Sequence, residues 1–284
     1  MFDLSPGIIV AIVVLTFLCE YMDSTLGMGY GTTFTPILLL FGFSPMQIVP
    51  AVLLSQLVCG LLGGFFHHRE GNVDLKPTTA DIFKITNMLR PLGYIESFKK
   101  TVPVHLKVAL LLAVCSVVGT VAAVFVAVNI PKFWLKLYIG CLVLAMGIVI
   151  LICLNKKFHF SWKKIAFLGV IASFNKGMSG GGYGPVVTGG QILSGVEGKS
   201  AVGITSLAEG LTCLVGVITY ILVSKDLVEW KLAPWIVAGA IFSVPLSAKS
   251  VKIISRKRLK LAIAILTIVL GTVTVTKTLV SSRT

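Results

Sequence analysis

The sequence predicts an all-α, polytopic integral membrane protein built from two homologous halves. Three observations lead to this fold class: an apolar composition, apolar runs long enough to cross a bilayer, and a glycine-rich break that occurs once in each half. Of the 284 residues, 56% are hydrophobic and only 13% are charged. A soluble globule of this length needs more polar surface, so the composition favours a protein whose outside faces lipid.

Six apolar runs reach the length of about 20 residues that a helix needs to cross the hydrocarbon core. They are residues 45–66, 105–128, 133–154, 199–223, 232–248 and 259–275. Two further apolar regions, 7–43 and 165–195, are interrupted by glycine clusters, which leaves pieces of about 12 to 18 residues that only marginally span. The first of these regions has neither a basic segment before it nor a cleavage site, so we do not read it as a signal peptide.

An internal repeat appears when the second half is laid on the first with an offset of 153 residues. The pairs that align at the two breaks are Gly27 with Gly180, Met28 with Gly181, Gly29 with Gly182, Tyr30 with Tyr183 and Gly31 with Gly184. The register continues to Gly63 and Gly216. We therefore divide the chain into an N-terminal repeat, residues 1–154, with a polar loop at 67–104, and a C-terminal repeat, residues 155–284.

The glycine clusters are expected to interrupt the helices, because each glycine costs about 1 kcal/mol relative to alanine inside a helix. Irregular backbone inside a membrane is tolerated only when protein buries it or when it lines a polar cavity. Paired broken segments in two repeats are typical of the binding site of a transporter. Glycine can also serve close helix packing, and that interpretation suits Gly60, Gly63 and Gly64.

The distribution of basic residues favours inverted repeats. If each interrupted region is a single broken crossing, the halves are parallel and the loops after residues 67 and 249 face opposite sides. If each region is a re-entrant hairpin with its tip at mid-depth, the second repeat is inverted. The 25 lysines and arginines then divide 18 to 6, with Lys176 left in the membrane, and all the strongly basic loops face the cytoplasm.

The candidate site residues cluster at the breaks, because ionisable side chains inside a membrane are costly and are usually functional. Glycine amides and free helix N-termini also suit an oxyanion. The predicted substrate-binding set is Lys176, Asn175, Ser24, Thr25, Gly27, Gly29, Tyr30, Gly31, Gly180, Gly181, Gly182 and Tyr183. The predicted coupling or gating set is Asp23, Glu20, Glu209, Gln56, His67 and His68, with proton coupling through Glu209 as one hypothesis.

Asp23 and Lys176 occupy equivalent positions in the two repeats, so we expect them to pair when no substrate is bound. An anionic substrate would then compete for Lys176. The alternative is that both side chains only fix the hairpin tips. His67 and His68 lie beside Arg69 and Glu70 at the end of an apolar run, where histidines are more often interfacial than functional.

Two long segments resemble the sulfite exporter TauE/SafE family: EYMDSTLGMGYGTTFTPILLLFGFSP, followed by HHREGNVDL, and SFNKGMSGGGYGPVVTGGQILSG. The resemblance covers nearly the whole chain. It implies a permease with duplicated halves for sulfite, sulfoacetate or related organosulfur anions, located in the cytoplasmic membrane of a bacterium or archaeon.

No enzyme, cofactor or metal site is predicted, since no hydrolase or metal-ligand motif occurs and the six cysteines lie in apolar runs without a CxxC pair. The basic residues are explained by membrane topology and not by nucleic acid. The expected partners are a small anion and membrane lipid, with a homodimer left open. Residues 79–89 are expected to form an interfacial helix. The alternative function is an anion-selective channel.

Overall fold

The structure is a computed structural model that describes residues 5–76, 103–153, 162–193, 196–223, 230–253 and 256–281. The predicted interfacial helix at 79–89 lies outside these ranges. Eleven α-helices and one 3-10 turn make up the described part, which contains no β-strand. They are α1 (Pro6–Leu26), α2 (Tyr30–Leu40), α3 (Pro45–Arg69), α4 (Val104–Asn129), α5 (Lys132–Cys153), α6 (Trp162–Ser179), α7 (Tyr183–Leu193), α8 (Gly198–Val223), the turn Trp230–Leu232, α9 (Ala233–Ile241), α10 (Ser243–Ser250) and α11 (Arg256–Val280).

Local sequence explains where the first helices begin and end. Pro6 opens α1, a position where its missing N–H is not needed. Gly27 ends α1 in the left-handed conformation, with φ of 70°. Ser44 and Gln47 form a reciprocal capping box that starts α3. The breaks after residues 26 and 179 therefore coincide with the glycine clusters, as the sequence predicts.

Seven helical segments in the described ranges are long and apolar enough to cross a membrane. Six of them correspond to the six predicted runs, with α9 and α10 together forming the segment Trp230–Ser250. The seventh is α1, which the sequence indicated only as a marginal piece. Large apolar side chains such as Val114, Phe167, Leu222 and Phe242 are exposed on the outside, as expected for a surface in contact with lipid.

Helices α1 and α2 form a hairpin. Glu20 contacts Gln56 and the carbonyl of Ser24 contacts His67, so α1 runs in the same direction as α3. Helix α2 ends only five residues before α3 begins and therefore runs the opposite way.

The second hairpin, α6 and α7, is built in the same manner. Lys176 bonds Glu209 and the carbonyl of Gly177 accepts a hydrogen bond from Tyr220, so α6 runs parallel to α8. Helix α7 returns antiparallel to α8. The contacts of Gly177 and Ser24 are equivalent at the offset of 153 residues, which is consistent with the internal repeat.

Helices α3 and α8 run antiparallel and cross closely. Asn72 contacts Ser200, and a Cβ added at Gly60 would lie 2.7 Å from the backbone of Gly210. Since each hairpin follows the direction set by its own central helix, the two hairpins open toward opposite ends of the molecule. This is the arrangement expected of inverted repeats, in which three crossings separate equivalent elements.

One end of the molecule, here called the basic end, is tied together by the loop after α3. Asn72 donates to the carbonyl of Ala248 at 2.9 Å, and Ser200 donates to the carbonyl of Asn72 at 3.1 Å. Lys252 donates to the carbonyl of Glu70 at 2.6 Å. The opposite end, here called the far end, contains the C-termini of α2 and α11, where Lys277 donates to the carbonyl of Leu40 at 3.0 Å.

This arrangement predicts the sidedness of two lysines. Cysteines introduced by Lys252→Cys and Lys231→Cys are expected to react with a membrane-impermeant thiol reagent from opposite sides, with Lys252→Cys on the cytoplasmic side. Labelling of intact cells and of inside-out vesicles measures the side from which each cysteine reacts. The protein without the introduced cysteine serves as the control. Reaction of both variants from the same side would contradict the crossing Trp230–Ser250. Arg69→Cys, at the end of α3, should react from the same side as Lys252→Cys, and reaction of these two from opposite sides would contradict the inverted arrangement.

Candidate functional site

A buried ion pair lies where the two hairpins cross. The Lys176 side chain is fully buried, and its Nζ lies 2.6 Å from Oε1 of Glu209. The same ammonium donates a hydrogen bond to the side-chain oxygen of Gln56. Gln56 and Glu209 each lie near the middle of their helices, α3 and α8, so the ammonium sits about halfway through the molecule.

The amide of Gln56 links this pair to two more carboxyl groups. Its Nε2 lies 3.2 Å from Oε2 of Glu20 and 3.4 Å from Oδ2 of Asp23. Ser24 donates to the other oxygen of Glu20 at 2.6 Å. The structure thus joins Lys176, Gln56, Glu20, Asp23 and Ser24 in one network with Glu209. We call these six residues the crossing cluster.

The expectation that Lys176 pairs with Asp23 is wrong. Lys176 pairs with Glu209, and the amide of Gln56 stands between the ammonium and Asp23. The reason is that α6 lies parallel to α8 of its own repeat, which brings Glu209 to the end of the lysine side chain. Asp23 and Lys176 are equivalent in the two repeats and both reach Gln56, but they do not contact each other.

The crossing cluster contains three carboxyl groups and one ammonium. Glu20, Asp23 and Glu209 are at most 8% exposed. With every group ionised, the cluster would carry two uncompensated negative charges away from water, which is strongly unfavourable. An additional positive charge therefore stabilises the cluster, and a proton on a carboxyl group supplies one.

The starts of the two short helices are already occupied by oxygen atoms of the protein. The N–H of Tyr30, the first residue of α2, donates to Oδ1 of Asp23 at 3.0 Å. The N–H of Gly181, just before α7, donates to the hydroxyl of Ser179 at 3.0 Å. Asp23 thus lies where the helix dipole favours an anion.

The glycine tips overlap and pack against each other. A Cβ on Gly31 would lie 1.9 Å from the carbonyl oxygen of Gly180, and a Cβ on Gly184 would lie 2.3 Å from that of Gly27. These two contacts are equivalent at the offset of 153 residues. Leu26 and Met28 pack in one apolar cluster with residues of α5 and α11 near the basic end. The first tip therefore passes beyond the predicted mid-depth.

Four predicted binding residues near the tips have structural roles, two through hydrogen bonds and two through backbone conformation. Asn175 accepts a hydrogen bond from the Tyr138 hydroxyl at 2.8 Å. Thr25 donates to the carbonyl of Tyr21 in its own helix at 2.6 Å, so its hydroxyl proton is already engaged. Gly29 and Gly182 have φ of 128° and 79°, values that favour glycine where each chain turns into its short helix.

The two tyrosines of the repeat differ in their surroundings. The Tyr30 hydroxyl lies 3.0 Å from the hydroxyl of Ser55. Tyr183 is fully buried and belongs to an apolar cluster with Ile204 and Ala208. Ala208 is the equivalent of Ser55, so the second repeat lacks the hydroxyl that the first one supplies.

The two adjacent histidines have different environments. His67 is fully buried, and its Nε2 donates to the carbonyl of Ser24 at 2.8 Å. His67 is therefore enclosed by protein, at the end of α3. His68 is partly buried, with its Nδ1 3.3 Å from the N–H of Leu75 in the following loop.

Sequence reasoning missed Tyr220, which donates to the carbonyl of Gly177 at 2.9 Å. Tyr220 is the repeat equivalent of His67, and Gly177 is the equivalent of Ser24. The offset of 153 residues would have identified this tyrosine, because both side chains hold the end of a long hairpin helix through the same carbonyl position.

Two of the cavities in the described part of the chain lie toward opposite ends of the molecule. The larger, of about 310 Å³, has mainly apolar walls from α5, α6, α7 and α11 and reaches Met28 at the first tip. Lys260 also lines it. The smaller, of about 220 Å³, lies at the far end between α2, α5 and α11.

Comparison with known proteins agrees with this architecture. The sequence profile described as Sulfite exporter TauE/SafE matches residues 12–80 and 86–274. The Probable membrane transporter protein YtnM of Bacillus subtilis (strain 168) is 28% identical over 244 residues, which cover 81% of this chain and 70% of that protein. No solved structure matches the chain significantly. Because the family profile covers most of the sequence, including both hairpins and the crossing cluster, this integral membrane protein belongs to the sulfite exporter TauE/SafE family of transporters.

Proposed function

We propose that this membrane transporter is a secondary carrier that moves a small sulfur-containing anion across the cytoplasmic membrane, together with protons. Sulfite, sulfoacetate and related organosulfonates are the substrate class. The single observation that carries the proposal is the fully buried ammonium of Lys176 between Glu209 and Gln56, at the crossing of the two hairpins. A buried positive charge midway through a membrane protein is the group that an anion most needs.

Protein carboxyl groups occupy the positions that suit the substrate. Glu209 neutralises Lys176, and Asp23 accepts the N–H at the start of α2. An incoming anion beside ionised Glu209 and Asp23 would meet strong repulsion at low dielectric. A proton delivered to Glu209 removes one negative charge and frees the ammonium, so the anion takes the place of the carboxylate. Proton and anion then bind together.

The close packing of the tips favours a carrier over the alternative, an anion channel. The backbones at Gly31 and Gly180 are in direct contact, as are those at Gly184 and Gly27. A channel needs a continuous polar path during conduction. A carrier instead opens the site to one side at a time, which two hairpins that open toward opposite ends can support.

Transport assays in proteoliposomes test the function. We expect saturable uptake of radiolabelled sulfite and sulfoacetate, and accelerated uptake when unlabelled substrate is loaded inside. Sulfate serves as the competing oxyanion that lacks the sulfonate or sulfite group. Flux that rises linearly with concentration, without counterflow, would support the channel. Absence of flux for every sulfur oxyanion from a well-folded protein would refute the proposed substrate class.

Glu209→Gln is expected to separate exchange from proton coupling. The amide keeps the shape of the side chain but cannot accept a proton, so sulfoacetate counterflow persists while accumulation driven by a pH gradient is lost. With one coupled proton, a gradient of one pH unit supports about tenfold accumulation, and the variant should approach a ratio of one. Sulfoacetate is the suitable substrate, because its charge does not change between pH 6 and 7.

The matched control for this prediction is Glu197→Gln. Glu197 is an exposed glutamate outside the crossing cluster, where it lies 3.2 Å from Lys199. Its neutralisation should leave accumulation unchanged. If Glu209→Gln still accumulates sulfoacetate as the unaltered protein does, Glu209 is not the coupling group.

A further inference from the structure

The far-end cavity is lined by polar side chains from two helices. Its volume is about 220 Å³, and its polar wall consists of Lys136, Thr274, Lys277, Thr278 and Ser281. The remaining wall is apolar and comes from Leu39, Leu40 and Phe133. No acidic side chain is among the described residues that line it. The lining therefore combines two positive charges, three hydroxyl groups and an apolar surface.

The hydroxyl of Thr274 indicates a ligand in this cavity. Thr274 is 2% exposed, and its oxygen has no hydrogen-bond partner within the described part of the chain. Other threonines of α11 behave differently: Thr272, Thr276 and Thr278 each donate to a carbonyl one turn earlier. A buried polar group without a partner is unfavourable, and a ligand oxygen would satisfy it.

The two lysines lie on the side of the membrane where basic residues are disfavoured. The inverted topology predicted from the sequence assigns only six of the 25 lysines and arginines to the non-cytoplasmic side, which corresponds to the far end. Lys136 and Lys277 are two of these six, and both line the one cavity. Lys277 also donates to the carbonyl of Leu40 at the end of α2.

We propose that the far-end cavity is a capture site for small organosulfonates on the non-cytoplasmic face. The lysines attract the sulfonate group, Thr274 donates to one of its oxygens, and Leu39, Leu40 and Phe133 contact its carbon chain. This site rests on the proposed function, since it would supply anions to the crossing cluster. Helix α2 connects the two, because its last turn lines the cavity and its first N–H bonds Asp23.

The site can be probed without transport by a cysteine at its rim. Ser281 is exposed and lines the cavity, so Ser281→Cys should favour the anionic sulfonatoethyl methanethiosulfonate over its trimethylammonium analogue when each rate is divided by that reagent's rate with a free thiol in solution. Two nearby positive charges should shift the ratio of the two rates about tenfold. Lys136→Ala together with Lys277→Ala should remove that preference, and excess isethionate should protect Ser281→Cys only when both lysines are present.

Three comparisons make this test specific. Lys132→Ala removes a charge from the same end of α5, outside the cavity, and should leave the rate ratio unchanged. Ser5→Cys, exposed before α1, should show no anion preference. Thr274→Val should weaken isethionate protection about tenfold without loss of thermal stability, because it removes an unpartnered hydroxyl.

The outcomes separate the capture site from the transport function. Equal rates for the two reagents after division by their rates with a free thiol, or protection that survives loss of both lysines, would overturn the capture site even if sulfite flux is normal. An intact anion preference and isethionate protection in a protein that transports no sulfur oxyanion would support the site and refute the proposed function. If both hold, loss of the lysines should raise the KM for sulfoacetate and leave the maximal rate unchanged.

Discussion

Replacing Lys176 with methionine is expected to reduce sulfoacetate counterflow by about 100-fold or more. Removal of one partner of a buried charge pair typically costs 2–5 kcal/mol of binding free energy, and each 1.4 kcal/mol corresponds to a factor of ten. Counterflow in proteoliposomes is the appropriate measurement, because it does not require net proton movement and therefore reports the anion site itself.

The difficulty is that Lys176→Met leaves Glu209 buried without its partner, which by itself costs about 3–5 kcal/mol of stability. The double variant Lys176→Met with Glu209→Gln removes both charges and keeps similar side-chain volumes. We expect it to be as monodisperse and nearly as thermostable as the unaltered protein, yet without counterflow. Since Glu209→Gln alone should retain exchange, restored counterflow in the double variant would show that Lys176 is only a structural residue.

Gly31→Ala is expected to destabilise the protein by about 3 kcal/mol or more. The added methyl group would lie 1.9 Å from the carbonyl oxygen of Gly180 and 2.5 Å from the Cα of Gly181, and both are backbone atoms that cannot rotate away. Thermal unfolding in detergent and the yield of monodisperse protein measure the effect. Gly184→Ala should be equally severe, because its contact with the carbonyl of Gly27 is the equivalent one.

Gly189→Ala provides the matched control for this prediction. Gly189 lies in the short helix α7, and a Cβ built there meets no atom within 4 Å. Helix propensity alone should then make alanine neutral or up to about 1 kcal/mol stabilising. Equal tolerance of alanine at positions 31 and 189 would mean that the tips are not in the close contact described.

The sequence was a reliable guide to the helices because bilayer thickness dictates their length. All six predicted crossings are helical, and the breaks fall at the two glycine clusters. The length of α1 was underestimated, because the glycine cluster was expected to leave only a marginally long piece before it, whereas α1 has 21 residues and includes Glu20 and Asp23. Their cost inside the helix is offset by hydrogen bonds from Ser24, Gln56 and Tyr30. Ser24 lies one turn later in α1, whereas Gln56 and Tyr30 come from α3 and α2 and are brought there by the tertiary structure.

The sequence predicted which residues form the candidate site better than it predicted which of them are in contact. Glu20, Asp23, Gln56, Lys176 and Glu209 were all singled out from the sequence, and they meet in one cluster. Which carboxyl group faces the lysine depends on the rotation of α8 relative to α6, and hydrophobic patterning does not encode that angle. The glycines illustrate the same limit, because glycine permits both an exposed amide and a close backbone contact, and the tips use the second.

The pairing of Gln56 with Glu209 at equivalent positions has a consequence for the direction of transport. In a duplicated carrier with identical halves, the state open to one side and the state open to the other would have equal free energies, and the empty protein would populate them equally. Here the first half presents an amide and the second an acid to the same ammonium. In the carrier proposed above, the two orientations would therefore differ in free energy. Because protonation of Glu209 alters only one member of this pair, the pH of the compartment that reaches it would shift the resting orientation of the carrier.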